Sequence, residues 1–224
     1  MGQTPEITLY VDVVSPFAYE AFHILQNDAV FRDVKKTYVP IFLGGIMKMA
    51  GNTPPIRIKN KDKWINQERN LWAKTFNIPM KAETPPNFPP NTLHVMRAMS
   101  GIAPADQEKL CKLLERLYHE FWVNHVQIES PDVFGPIFND VLGAEEGERV
   151  LSEASTKGKA TLLANTDAAF AAGAFGLPWV VCTNAKGETE GFWGVDHFGH
   201  VARFLDLPNK PGNNNSNSGW KSLL

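Results

Sequence analysis

Cysteine is scarce in this chain of 224 residues: it occurs only as Cys111 and Cys182. Two thiols far apart in sequence make neither a disulfide scaffold, nor a thiolate zinc cluster, nor a C-x-x-C redox motif. They set the expectation of a reducing, intracellular compartment. Long apolar runs are missing as well. Nowhere do about 18 uninterrupted apolar residues follow one another, so no helical membrane span is expected. An excess of one charge is also lacking, with 22 Lys and Arg against 24 Asp and Glu, a net −2. That balance argues against a nucleic-acid binder, which needs a basic face for phosphates. The start, MGQTPEITLY, has no basic segment ahead of an apolar one and does not read as a secretory signal. The last residues, KSLL, are not the Ser-Lys-Leu ending, although close to it in composition. No phosphate loop is present, and GAFGLP is too short for a dinucleotide fingerprint. His119 and His125, and His197 and His200, form pairs without a third ligand nearby, so no metal is expected.

What is present is an ordinary globular composition, 43% hydrophobic and 21% charged. Residues 6–14 form a β-branched apolar run and predict a buried strand. Ser15-Pro16 follows, a preferred cap and a favoured first helical residue, so a helix should start there with Phe17, Ala21, Ile24 and Leu25 on one face. Residues 37–43 predict a second strand, in which Pro40 points to an edge or a bulge. Gly44-Gly45 and GNTPP read as a loop.

From about 58 to 159 the pattern is mainly helical. It is clearest over 105–126, where Leu110, Leu113, Leu114, Leu117, Tyr118, Phe121 and Trp122 recur at helical spacing. A weaker case covers 62–76, and ETPPNFPPN lies between the two as a loop. Cys111 should sit half-buried on the long helix, and Cys182 in a core strand. Beyond 159, ATLLANTDAAFAAGAF reads as a helix ended by Gly176. WVVCT, NAKG and ETEGFWGV read as strand, turn and strand, and VDHFGHVARFLDL as a last helix. The polar stretch 209–219 predicts disorder.

The order is therefore βαβ, helices, then αββα. Removing the middle leaves a thioredoxin-like α/β domain from residues 1–57 and 160–208. The inserted helical domain spans 58–159, and 209–224 is a tail.

In a thioredoxin-like fold the redox cysteines sit where the first strand enters the first helix. Here that place reads Ser15-Pro16-Phe17-Ala18. Thiol–disulfide exchange needs a thiolate nucleophile, and serine cannot supply one. A disulfide oxidoreductase is excluded at this site. The helix N-terminus survives, with its backbone N–H groups and positive dipole end. It would stabilise a thiolate brought by a small molecule, to which the Ser15 hydroxyl could donate. Taken alone, Ser15-Pro16 is also accounted for as a plain helix cap.

VDVVSPFAYE, GGIMKMAGNTPP, AAGAFGLPWVV and FWGVDHF, in that order and spacing, resemble the kappa-class glutathione transferases and the related 2-hydroxychromene-2-carboxylate isomerases. Both are DsbA-like members of the thioredoxin superfamily with a helical insertion. The resemblance runs from about residue 6 to 207, and the helical middle matches mainly by length and pattern. It implies that Ser15 hydrogen-bonds the glutathione sulfur, with Pro16 and Phe17 completing that segment. It places Asn52 and Lys61 at the glutathione site and makes Leu177-Pro178 the cis-proline loop that pairs with the tripeptide. Val195, Asp196 and His197 correspond to the segment that grips the γ-glutamyl end. Asn52 also reads as a turn residue before proline, Lys61 as solvated charge, and Asp196 as a helix cap.

Four departures stand out. Ala18 and Val195 occupy places where the family has Ser, His197 replaces a common Arg, and Tyr19 a frequent Trp. The resemblance further implies glutathione as cosubstrate, a small electrophile, no metal, a homodimer, and a mitochondrial, peroxisomal or cytoplasmic home. Two other readings stay open: a glutathione-dependent cis–trans isomerase, and a non-catalytic thioredoxin-like binding protein.

Overall fold

The computed structural model describes residues 3–102 and 106–207. The expected disordered stretch, 209–219, lies outside them. Strand β1 (Glu6–Val11) is flanked by β2 (Lys35–Pro40), running parallel, and by β3 (Trp179–Thr183), running antiparallel, with β4 (Thr189–Trp193) outside β3. The order β2-β1-β3-β4 gives the mixed sheet of a thioredoxin-like fold. As Pro40 suggested, β2 is an edge strand, and Pro40 is its last residue. A proline without an N–H is tolerated there because no further strand needs its donor.

Helix α1 (Pro16–Asn27) starts where expected. The single inward face is a correction: Ala18, Tyr19, Glu20 and Phe22 are buried along with Ala21, Ile24 and Leu25, while Phe17 is only partly so. The helix has protein on more than one side. Tyr19 stacks on Tyr118 at 4.7 Å, and Phe22 meets Tyr38 at 5.1 Å.

Helix α2 (Leu43–Met49) stands where Gly44-Gly45 read as a loop, and it cuts the second strand short at residue 40. The glycines have a packing reason, since a Cβ at Gly44 would meet the Phe42 ring at 2.9 Å. Then come α3 (Lys61–Thr75), α4 (Leu93–Met99), α5 (Gln107–Trp122), α6 (Pro131–Leu142), α7 (Ala144–Ser152) and α8 (Lys159–Ala171). A short π-helical stretch, Ala154–Gly158, joins the last two. All seven apolar residues singled out on α5 are buried, and Trp122 Nε1 donates to Val13 O at 3.1 Å. They form a continuous core with Ile7, Leu9 and Val11 of β1 and with α1. A second buried cluster joins Tyr10, Ala18, Ile41, Ile46, Leu177 and Trp179.

Helix α8 ends at Ala171 rather than Gly176, because Gly173, at φ +98°, supplies the left-handed residue that stops it. The hairpin is present, its turn held by Asn184, which accepts from Lys186 N and Glu188 N. The last helix is shorter than 195–207. A 3₁₀ turn, Val195–His197, precedes α9 (Phe198–Phe204). Cys111 is half-buried and Cys182 buried, both unpaired. Among the described residues no helix is long and apolar enough to cross a membrane.

Candidate functional site

The C-terminal end of β1 and the N-terminal end of β3 meet at one end of the two central strands, where Tyr10 pairs with Trp179. The residues just beyond that pair are Val11–Ser15 on one chain segment and Leu177-Pro178 on the other. Ser15, 4% exposed, is the N-cap of α1, and its Oγ accepts from Ala18 N at 3.1 Å. Pro16 takes the first helical position. A hydroxyl has one donor and two acceptor sites, so capping occupies an acceptor and leaves the O–H proton to donate elsewhere. The cap reading and the functional one are therefore compatible at Ser15.

The Leu177-Pro178 bond is cis. Leu177 packs in the same apolar cluster as Ala18. Pro178 O accepts from Gly194 N at 3.2 Å, which carries the loop to the segment after β4. Asn52 is exposed and donates from Nδ2 to Phe175 O at 2.8 Å, so it lies against the cis-proline loop across 123 residues of sequence. Its own N–H donates to Met47 O, closing the end of α2.

Val195 is 2% exposed with its side chain in the core, so only its backbone can serve a ligand. Asp196 is exposed and lies in the 3₁₀ turn. The expected cap of the last helix is thus a correction, because His197 holds that position for α9. Asp196 Oδ1 lies 3.4 Å from His197 Nδ1. The turn depends on Gly194, at φ +96°, where a Cβ would drive into Asp196 Oδ1. Gly194→Ala should therefore destabilise the fold by about 1–2 kcal/mol. It should also displace Asp196, read as a lower thermal midpoint together with changed Asp196 and His197 amide resonances. A midpoint within error of the parent would contradict the strain.

Lys61 opens α3 with an exposed side chain, and its N–H donates to Ile58 O. Structure thus brings together Ser15, Pro16, Asn52, Leu177, Pro178 and the Val195–His197 turn, which lies against α1. Phe17 packs on the main core beside them. No described hydrogen bond or ion pair joins the Lys61 side chain to this group.

Two buried acids next to the site escaped the sequence reading. Asp12 is fully buried; its carboxylate accepts from Val14 N at 3.2 Å and Leu43 N at 2.9 Å and is hydrogen-bonded by the Thr92 side chain. Burial nonetheless pushes its pKa up to about 6, against the pull of these donors. Glu20 is fully buried and neither carboxylate oxygen has a partner. Burial holds its pKa well above the usual carboxylate range, opposed in part by the Arg69 charge. A polar residue inside the otherwise apolar runs VDVV and FAYEAF was the available signal for both.

Neither cysteine supplies a thiolate. Burial pushes the Cys111 thiol up to about 11 and Cys182 up to about 12, so both stay protonated near neutrality. Among the described residues no group of three or more His, Cys, Asp or Glu could hold a metal ion.

A family profile for a DSBA-like thioredoxin domain matches residues 6–206. Glutathione S-transferase kappa 1 of Rattus norvegicus is 29% identical over 213 residues, covering 92% of this chain and 93% of the relative. Glutathione S-transferase kappa 1 of Caenorhabditis elegans is 26% identical over 215 residues, covering 93% and 94%. Among solved structures, that of a 2-hydroxychromene-2-carboxylate isomerase superposes with a TM-score of 0.73 at 20% identity, covering 90% of this chain and 94% of the other.

Proposed function

The chain belongs to the DSBA-like thioredoxin family, and from that premise we propose that it is a glutathione transferase of the kappa type. The observation that carries this reading is the capped hydroxyl of Ser15 at the start of α1, beside a cis-proline loop and in a protein whose own thiols stay protonated. Resemblance to the kappa enzymes of rat and nematode supports glutathione as the missing sulfur.

Bound glutathione would place its sulfur at the N-terminus of α1. The dipole end and the Ser15 O–H together would lower the thiol pKa by about one to two. The thiolate then attacks an electrophilic carbon of the second substrate; a C–S bond forms and the leaving group departs with the bond's electron pair. Pro16 and Phe17 shape the sulfur end. The Leu177 backbone, beyond the last ladder pair before cis-Pro178, would pair with the tripeptide as an added strand. Asn52 and Lys61 would flank the tripeptide, and the Val195 backbone, Asp196 and His197 would receive the γ-glutamyl end. Asp196 would accept from its ammonium. No metal enters this reading.

Calorimetric binding of glutathione, followed by aryl-halide conjugation and isomerisation assays on the same preparation, tests the reading. Saturable binding with conjugation is expected. Binding with isomerisation alone would assign the alternative reaction of the same thiolate, and absence of binding would sink both. Asn52→Ala should weaken glutathione about tenfold, as loss of one hydrogen bond and its hold on Phe175 would do; unchanged affinity would remove Asn52 from the site. We further propose a homodimer, supported by Trp64 and Leu71 on α3, 53% and 54% exposed with Ile56 and Ile58 nearby. Light scattering in solution checks it.

A further inference from the structure

Hydrogen bonds joined by short stretches of chain frame the candidate site, and Asp12 stands at their origin. The main-chain O of Asp12 accepts from Ser15 N at 3.0 Å, and Oδ1 accepts from Val14 N. Side chain and backbone of one residue therefore form the whole turn from β1 into α1. Oδ2 accepts from Leu43 N at 2.9 Å, the first residue of α2. At the other end of α2, Asn52 reaches Phe175 O, and the cis-proline loop continues to Gly194. An apolar residue at position 12 would leave Leu43 N and Val14 N without this partner in a buried place.

We propose that Asp12 is a positioning residue for the site: its carboxylate locks the Ser15 turn to the N-terminus of α2, setting the distance between the Ser15 hydroxyl and Asn52. The inference rests on the glutathione reading for its ligand, and on the geometry alone for the lock. Protonation removes the negative charge, and the Thr92 hydroxyl can accept from the new O–H, so the bonds from Val14 N and Leu43 N lose their charge assistance. Gain of a proton therefore weakens the lock. Asp12 is raised to about 6, so its carboxylate is intact above that pH and the lock weakens as pH falls through it. The titratable group facing it from α5 is Tyr118, whose OH lies 3.5 Å from Asp12 O and whose own ionisation is held far above neutrality by burial. Helix α2 presents the Leu43 N–H, and the residue before α4 presents the Thr92 hydroxyl. At the far side of the site stands His197, an imidazole whose Nδ1 lies 3.4 Å from Asp196 Oδ1, and it needs its own control.

The test uses the full chain and S-methylglutathione, whose sulfur carries no proton. In the unsubstituted protein, affinity should fall several-fold from pH 7.5 to pH 5, with a midpoint near 6. Asp12→Asn should bind about tenfold more weakly at pH 7.5 and lose the pH dependence, whereas His197→Gln should keep it. Without ligand, the Val14, Ser15 and Leu43 amide resonances should titrate together with that midpoint, and Thr92→Val, which removes a donor to the carboxylate, should move the midpoint upward. This second measurement needs neither a ligand nor the Asn variant to fold. Absence of binding by the unsubstituted protein, with the amides still titrating, overturns the glutathione reading and leaves the lock. Amides that do not titrate, or Asp12→Asn binding with unchanged affinity and pH profile, overturn the role of Asp12.

Discussion

Replacing Ser15 by alanine should lower aryl-halide conjugation by about a hundredfold while leaving the protein folded. Removing a single hydrogen-bond donor aimed at a developing or resident anion in an active site lowers rates by roughly 10²–10³. Here the anion is the glutathione sulfur and the donor is the Ser15 O–H. Ser15 Oγ also caps α1 through Ala18 N, so the substitution carries a stability loss of about 1 kcal/mol, the usual value for a lost N-cap. That is small beside the stability of an ordinary domain. The two effects separate by measurement. Thermal unfolding reads the cap. The pH dependence of conjugation reads the thiolate, whose ionisation should move to higher pH in the variant, so raising the pH should recover part of the lost rate. A variant that turns over at the parental rate would reduce Ser15 to a cap.

Glu20→Leu should stabilise the protein, and more strongly at pH 8 than at pH 5. Glu20 is fully buried on α1 and both its oxygens lack partners. The Arg69 guanidinium is engaged elsewhere: it donates to Asn66 Oδ1, Lys81 O and Ala82 O and lies over Trp122 at 5.5 Å. Removing Glu20 therefore leaves Arg69 held. Burial raises the folded pKa of Glu20 far above 4.5. A raised folded pKa means that the folded state keeps a proton which the unfolded state releases. The contribution of Glu20 to stability is thus fully present below about pH 4.5 and is lost as pH rises toward the folded value. The limiting slope is about 1.4 kcal/mol per pH unit. Asp12, raised to about 6, adds a loss of the same sign between its unfolded value and that pH. Leucine abolishes the Glu20 part and replaces an unpartnered carboxyl by apolar volume. The expected gain is about 2 kcal/mol at pH 8 and smaller at pH 5, the size expected for removing an unsatisfied buried polar group. Unfolding in denaturant at the two pH values checks it. Equal gains at both would show that Glu20 does not hold its proton in the folded state, and destabilisation at pH 8 would show that it is charged and paired there.

Much of the site was legible from local chemistry. Ser15-Pro16 reads as a helix start from residue types alone, and the start is there. Pro40 identified an edge strand because a missing N–H has few other places to go. Helix α5 showed itself through seven apolar residues at one spacing, all of them buried. Short elements were the weak point: α2 has seven residues and two glycines, so its propensity argued for a loop. Its helix is stabilised instead by Phe42 lying over the glycines and by contact with α8. Gly176 looked like a helix stop, yet Gly173 has the positive φ that performs it.

By itself, the sequence determined the βαβ opening, the closing hairpin, the cap that starts α1, and the absence of cysteine from Ser15 to Ala18. These follow from residue types over a few positions, where propensity and capping act. The tertiary structure alone decided that Asp12 and Glu20 are buried and that Asn52 meets Phe175. Burial of a carboxyl in α1 depends on α3 and α5 arriving from tens of residues away. Nothing in the local periodicity of FAYEAF records which of its faces those helices will cover, and that coverage, not the residue type, moves the acids away from their ordinary ionisation.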